Sequence, residues 1–181
     1  VTTLLCGRPL PRADLETLPD DGNRYELLDG VLLVSPGPRT AHQEMVAELY
    51  VLLRAAKPAH LKALFAPFDV VLAEDTVLEP DLLVAPKSQF TDRDLPGPPL
   101  LAVEVLSPST RRFDLLLKRD RFQSAGVASY WLFDPDEPSV TILELRNGEY
   151  VEVARAAGVE GVACTLPVPR RHGPACRFPV T

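Results

Sequence analysis

Cysteine, methionine and tryptophan are scarce in this chain, with three, one and one residues among 181. Cys6, Cys164 and Cys176 are an odd set with no close CxxC pair, which argues against a zinc site or a redox motif and fits a reducing compartment. Long apolar runs are also missing. No stretch approaches the roughly 20 residues that cross a bilayer. The apolar patch Leu4-Leu5-Cys6 is broken at once by Gly7-Arg8-Pro9 and is too short for a signal peptide. The expectation is a cytoplasmic protein without a membrane partner. Positive charge is in deficit as well: 19 Lys and Arg against 25 Asp and Glu leave a formal charge of -6. That balance disfavours tight nonspecific binding to nucleic acid, which needs many phosphate contacts from Lys and Arg.

What is present suits one globular domain. The composition is 46% hydrophobic and 24% charged, and a chain of this length buries enough surface for a core without staples. The 19 prolines are scattered between apolar runs and read as loop punctuation. Residues 1–181 are expected to form a single domain, with its core from about residue 12 to 155 and a loosely ordered Pro- and Arg-rich tail from about 167 to 181.

A short helix is expected over residues 12–18. Arg24 to Leu28 and Val31 to Ser35, split by Asp29-Gly30, carry a strong hairpin signal. Thr40-x-x-Gln43 has the form of a capping box opening a helix whose stripe is His42, Val46, Leu49 and Leu53, ended by Pro58. Leu61–Phe65 and Phe68–Leu72 are candidate strands interrupted at Pro67, and Asp81–Val84 is another after Pro80. Gln89 to Pro99 reads as a polar loop. Leu100 to Leu106 is nearly all apolar, like a central strand, apart from Glu104. A helix from about Arg112 to Ala125 is stopped by Gly126, a strand follows at Ser129–Phe133, and Val140–Leu145 and Glu149–Val153 flank Asn147-Gly148 as a second hairpin. Strands before and after two helices point to a mixed α/β or α+β fold, with helices covering a sheet.

Several residues break the pattern. Glu104 sits in strand core, and a carboxylate there needs a cation; an exposed edge strand and a metal site are both open readings. Asp81 alone reads as a turn residue, but with Glu104 it makes a carboxylate pair suited to a hard cation such as Mg²⁺. Lys118 falls on the stripe Leu115, Lys118, Phe122, Ala125, so it either snorkels or meets an acid, with Asp114 four residues earlier able to pair with it on the helix surface. His42 leads an apolar stripe at a helix start, where a neutral, hydrogen-bonded imidazole is the plain reading. Glu26 lies mid-strand, explained by edge exposure or by a buried partner. Between Ser107 and Arg121 the positive charge is concentrated: Arg111, Arg112, Lys118, Arg119 and Arg121 against Asp114 and Asp120.

These positions carry a family likeness. Arg24-Tyr25-Glu26-Leu27-Leu28-Asp29-Gly30, His42, Pro80-Asp81, Glu104-Val105-Leu106-Ser107-Pro108-Ser109-Thr110, Asp114, Lys118, Gly126-Val127, Tyr130-Trp131 and Asp134-Pro135 together resemble the Uma2 family of the PD-(D/E)XK nuclease superfamily, over about residues 12 to 155. The resemblance implies a restriction-endonuclease-like core, a mixed central sheet flanked by helices with an N-terminal β-hairpin, and Mg²⁺- or Mn²⁺-dependent hydrolysis of phosphodiester bonds, in DNA more than in RNA. Asp81 and Glu104 would hold the metal, with the Val105 carbonyl as a third ligand. Lys118 would orient the attacking water or stabilise the transition state, and Glu26 would act as ligand or as base through water. His42 would stand behind the metal ligands, with Asp114, Ser107, Ser109, Arg111 and Arg112 supporting them or binding substrate. A homodimer would suit double-strand cleavage. Two departures are visible: the lysine expected two residues after the glutamate is Leu106, its role falling to Lys118, and Phe122 replaces a frequent tyrosine. Leu106 and the acidic net charge also fit a catalytically inactive nucleic-acid- or protein-binding module on the same fold. A hydrolase acting on some other substrate is a third reading.

Overall fold

The computed structural model describes residues 2–5 and 7–158 together with the strands Val162–Thr165 and Ala175–Phe178. Two six-stranded sheets organise the chain, where the sequence suggested one central sheet. The strands in chain order are β1 (Thr3–Leu5), β2 (Arg24–Leu28), β3 (Val31–Ser35), β4 (Leu61–Phe65), β5 (Asp69–Ala73), β6 (Thr76–Leu78), β7 (Leu82–Pro86), β8 (Asp94–Pro96), β9 (Leu101–Val105), β10 (Ser129–Asp134), β11 (Ser139–Arg146), β12 (Glu149–Ala157), β13 (Val162–Thr165) and β14 (Ala175–Phe178). The first sheet has the order β1-β3-β2-β6-β5-β8, the second β12-β11-β10-β9-β7-β4, and β13 pairs with β14. Most of the tail expected to be loosely ordered lies outside the described residues; within it, the backbone of β14 is paired.

The mixed α/β class and the early hairpin stand. In both hairpins the two-residue loop places both residues at positive φ, Asp29 and Gly30 at 53° and 74°, Asn147 and Gly148 at 53° and 86°. That is the turn whose twist matches the flanking strands, and Asn, Asp and Gly tolerate it best. The two strands around Pro67 belong to different sheets: β4 pairs with β7, and β5 with β6 and β8. The expected polar loop contains β8, and β1 and β6 carry no periodic pattern because each has three residues.

The second sheet has a cover on each face, set by alternation along its strands. Leu82 and Val84 of β7 and Leu101, Val103 and Val105 of β9 pack against the helix α1 (Thr40–Ala56) through Val46, Leu49 and Leu53. Ala102 and Leu106 face the other way, toward Phe122, Tyr130 and, from the first sheet, Leu28 and Leu78. The strand β9 lies between β7 and the parallel β10, with every residue buried, so the edge-strand reading of Glu104 is excluded. The capping box is also absent. Arg39 occupies the cap position with no side-chain hydrogen bond, and its carbonyl accepts from the Gln43 amide at 3.0 Å, so Thr40 is already inside the first turn.

The second helix is not uniform. A π-helical segment, Phe113–Lys118, runs directly into the α-helix α2 (Arg119–Ala125), which ends on Gly126 at a φ of 84°. The wider turn rotates the charged residues inward: Asp114 and Lys118 are buried, whereas Leu116 and Leu117 are 55% and 39% exposed. The Asp114 carbonyl accepts from the buried Tyr130 hydroxyl at 2.9 Å, which supplies a partner within the irregular turn.

Candidate functional site

Parity brings the acids to one place. The register pairs Leu82 with Val103, both facing α1, so Asp81, just before β7, and Glu104 fall opposite each other on the other face. Their contact is direct: the Asp81 amide donates to Glu104 Oε2 at 3.4 Å, and the Val105 amide donates to Asp81 Oδ2 at 2.8 Å. On β2, Arg24, Glu26 and Leu28 share a face by the same period, and Leu28 packs toward the second sheet. Glu26 therefore faces Glu104 across the seam between the sheets, and Lys118 enters from the π-helical segment. Its Nζ lies 2.8 Å from Glu26 Oε1, 3.1 Å from Glu104 Oε1 and 3.5 Å from Asp114 Oδ1. Pairing with Asp114 thus occurs in the interior, not on the helix surface, and snorkelling is excluded because Lys118 is 1% exposed. Asp114 Oδ1 has only this ion pair and no hydrogen-bond partner.

Asp81 is saturated. Oδ1 accepts from Arg24 Nη2 at 2.9 Å, and Oδ2 lies 3.0 Å from His42 Nε2 as well as accepting from Val105. Burial opposes its ionisation, but the hydrogen bond from His42 and the charges of Arg24 and Lys118 outweigh it and hold the carboxyl well below its usual range. An ionised carboxylate only accepts, so His42 Nε2 carries the proton, leaving a buried Nδ1 without a partner. Burial pushes Glu104 well above the usual range despite Lys118, and pushes Asp114 up to about 6. Glu79, whose amide donates to Glu26 Oε1 at 2.8 Å, is pushed up to about 7 by burial and by Glu26. Burial acts against the charge of Lys118 too, but Glu104, Glu26 and Asp114 prevail and raise it.

Four buried carboxylates, Glu26, Asp81, Glu104 and Asp114, thus face two permanent cations, Arg24 and Lys118. Leaving His42 aside, the cluster with all four acids ionised would be short by two positive charges. Protonating two acids restores the balance, and so does one divalent cation. The donor chemistry therefore fits a hard cation at Asp81 and Glu104. Among the described residues, no three His, Cys, Asp or Glu side chains converge as a finished ligand set. Binding there requires Asp81 to give up one of its present partners.

Two cavities reach this cluster and share Arg24, His42 and Asp81. One, of about 210 Å³, is lined also by Glu104, Asp114, Ser107 and Ser109; the other, of about 500 Å³, by Asp69 and Glu79. Ser107 Oγ is 3.0 Å from Ser109 Oγ and from Thr110 Oγ1, which fixes the loop after β9. The basic stretch is dispersed in space: Arg111 pairs with Asp134 and Glu137, Arg121 with Asp29, and Lys118 is enclosed. Neither Arg111 nor the exposed Arg112 lines these two cavities. Val105 contributes its amide to Asp81. Arg24 and Glu79 had no role from the sequence; the alternation of Arg24 with Glu26 in one strand was the signal for the first.

The Uma2 family, described as "Putative restriction endonuclease", matches residues 12–172. No curated protein matches the chain. Among solved structures, the chain is similar to a putative nuclease belonging to DUF820 from Anabaena variabilis, at 20% identity and a TM-score of 0.68, over 89% of this chain and 90% of that one. At that identity the likeness establishes the fold. No helix among the described residues is long and apolar enough to cross a membrane.

Proposed function

The chain belongs to the Uma2 family of putative restriction endonucleases, and from that premise we propose that it is a cytoplasmic, divalent-metal-dependent endonuclease cutting phosphodiester bonds, in DNA more than in RNA, for which a homodimer would suit double-strand cleavage. The observation that carries the reading is a cluster of four buried carboxylates, of which Asp81, Glu104 and Asp114 line an open cavity. Asp81 and Glu104 would hold Mg²⁺ or Mn²⁺, with the Val105 carbonyl beside them. A cation bound there would polarise a phosphate oxygen and lower the pKa of a water.

The chain's own groups then have distinct tasks. Lys118 aims Glu104 and Glu26 and supplies positive potential beneath the site, where a fixed charge in a dry environment counts for most. Glu26 would be a ligand or a base only through water, since it is buried, pairs with Lys118 and lines neither cavity. His42 fixes the orientation of Asp81, and the Ser107–Thr110 loop forms the cavity rim. The test is cleavage of single-stranded, duplex and branched DNA and RNA with Mg²⁺ and with Mn²⁺. Metal-dependent cutting that is lost in Asp81→Asn is the expected result. The second reading, a binding module that does not cut, is favoured by the full set of partners on Asp81. It predicts retention of a nucleic acid on the protein with no cleavage under any of these conditions.

A further inference from the structure

Arg24 occupies the carboxylate that the proposed cation needs. Its Nη2 donates to Asp81 Oδ1 at 2.9 Å and its Nη1 donates to the Glu79 carbonyl at 3.0 Å. Because Asp81 Oδ2 already has His42 and the Val105 amide, Arg24 covers the remaining oxygen. The two cations of the cluster differ in access. The Arg24 side chain is 17% exposed and lines both cavities, whereas that of Lys118 is 2% exposed and lines neither. A guanidinium does not give up its proton here, so it cannot escape a neighbouring cation by becoming neutral.

A metal ion and a guanidinium on one carboxylate repel strongly in a buried site. We propose that Arg24 is a displaceable counterion: it holds Asp81 while no metal is bound, leaves Asp81 when a divalent cation arrives, and then carries an anionic phosphate in the cavity. The planar fork suits two phosphate oxygens, and the Glu79 carbonyl remains available to anchor one nitrogen during the exchange. Lys118 cannot make this move, since three carboxylates enclose it. The identity of the anion rests on the nuclease reading; the metal exchange does not.

The test is Mn²⁺ affinity, by titration calorimetry, of the full chain and of Arg24→Gln. The variant is expected to bind Mn²⁺ at least about tenfold more tightly, because a close like charge shifts an ionic equilibrium by roughly one to three decades. With Mn²⁺ saturating, inorganic phosphate is expected to bind the variant more weakly than the parent. An arginine that is merely structural would lower the melting temperature without tightening the metal. Equal or weaker Mn²⁺ affinity in the variant overturns the proposal, and unchanged phosphate binding overturns its second half. If Arg24→Gln does not fold in metal-free buffer, the reading is taken from circular dichroism during Mn²⁺ titration. Recovery of the parent spectrum supports the exchange, and no recovery overturns it. Arg24→Lys keeps the charge and is expected to stay near the parent; a gain equal to that of Arg24→Gln also overturns it. Failure of the parent to cut any nucleic acid defeats the nuclease reading alone, because the affinity comparison still decides on Arg24.

Discussion

Replacing Lys118 by methionine isolates the charge at the centre of the cluster. Methionine retains most of the stem, so packing alone costs about 1 kcal/mol or less. The electrostatic cost is larger. Lys118 lies within 2.8–3.5 Å of Glu26, Glu104 and Asp114, all at most 2% exposed. Removing one partner from a buried ion pair typically costs about 3–5 kcal/mol, a large part of the roughly 5–15 kcal/mol that holds a domain together. That cost depends on pH. The carboxyls of Glu104 and Asp114 titrate above their ordinary range in the folded protein, Asp114 at about 6. A raised folded pKa gives a contribution that is present in acid and lost as pH rises through the folded value. Without Lys118 both carboxyls rise further. At either pH Glu26 loses its cation; at pH 5 the raised carboxyls of Glu104 and Asp114 more readily take up protons, whereas at pH 8 the variant must bury them charged or protonate them. Urea unfolding at the two pH values is therefore expected to give a stability loss that is larger at pH 8, and adding Glu104→Gln to Lys118→Met should recover part of it. A loss below about 1 kcal/mol at pH 8, or an equal loss at both pH values, would refute the charge balance described for this site.

Millimolar Mg²⁺ or Mn²⁺ is expected to raise the melting temperature, more at pH 8 than at pH 5.5, because protons on Glu104 and Asp114 compete with the metal; scanning calorimetry of the parent against Asp81→Asn/Glu104→Gln checks this, and the double variant should show no such shift. Tyr130→Phe leaves the Asp114 carbonyl without its donor and is expected to cost about 1–3 kcal/mol in denaturant unfolding, with faster hydrogen exchange in Phe113–Lys118. Leu116→Ser and Leu117→Ser are expected to change stability by only about 0.5 kcal/mol, since both side chains face solvent; a loss near that of a core leucine would contradict the rotated helix.

The hairpins, α1 and the buried β9 were legible because each obeys a local rule: a two-residue turn that needs positive φ, a stripe at helical period, an unbroken apolar run. The acids were legible as violations of those rules. Glu104 among apolar neighbours required a partner, and that partner is Lys118, itself an outlier on its helix. Three things were not legible. Short strands such as β6 and β8 have too few residues to show a period, so the division into two sheets was hidden. The π-helical turn shifts the helix face, so Asp114, expected to meet Lys118 on the helix surface, is buried with it. Charge that is clustered in sequence also disperses in space: of the basic run, Arg111 and Arg121 turn to Asp134 and Asp29 on other elements.

The cluster draws Glu26 from one sheet, Asp81 and Glu104 from the other, and Asp114 and Lys118 from the π-helical segment. Glu26 is matched by Arg24 on its own strand and Asp114 by Lys118 on its own helix, so the shortage lies with Asp81 and Glu104, which the second sheet brings without a cation. The two cations are therefore ties between the sheets: Lys118 joins Glu26 of one to Glu104 of the other, and Arg24 reaches from β2 across to Asp81.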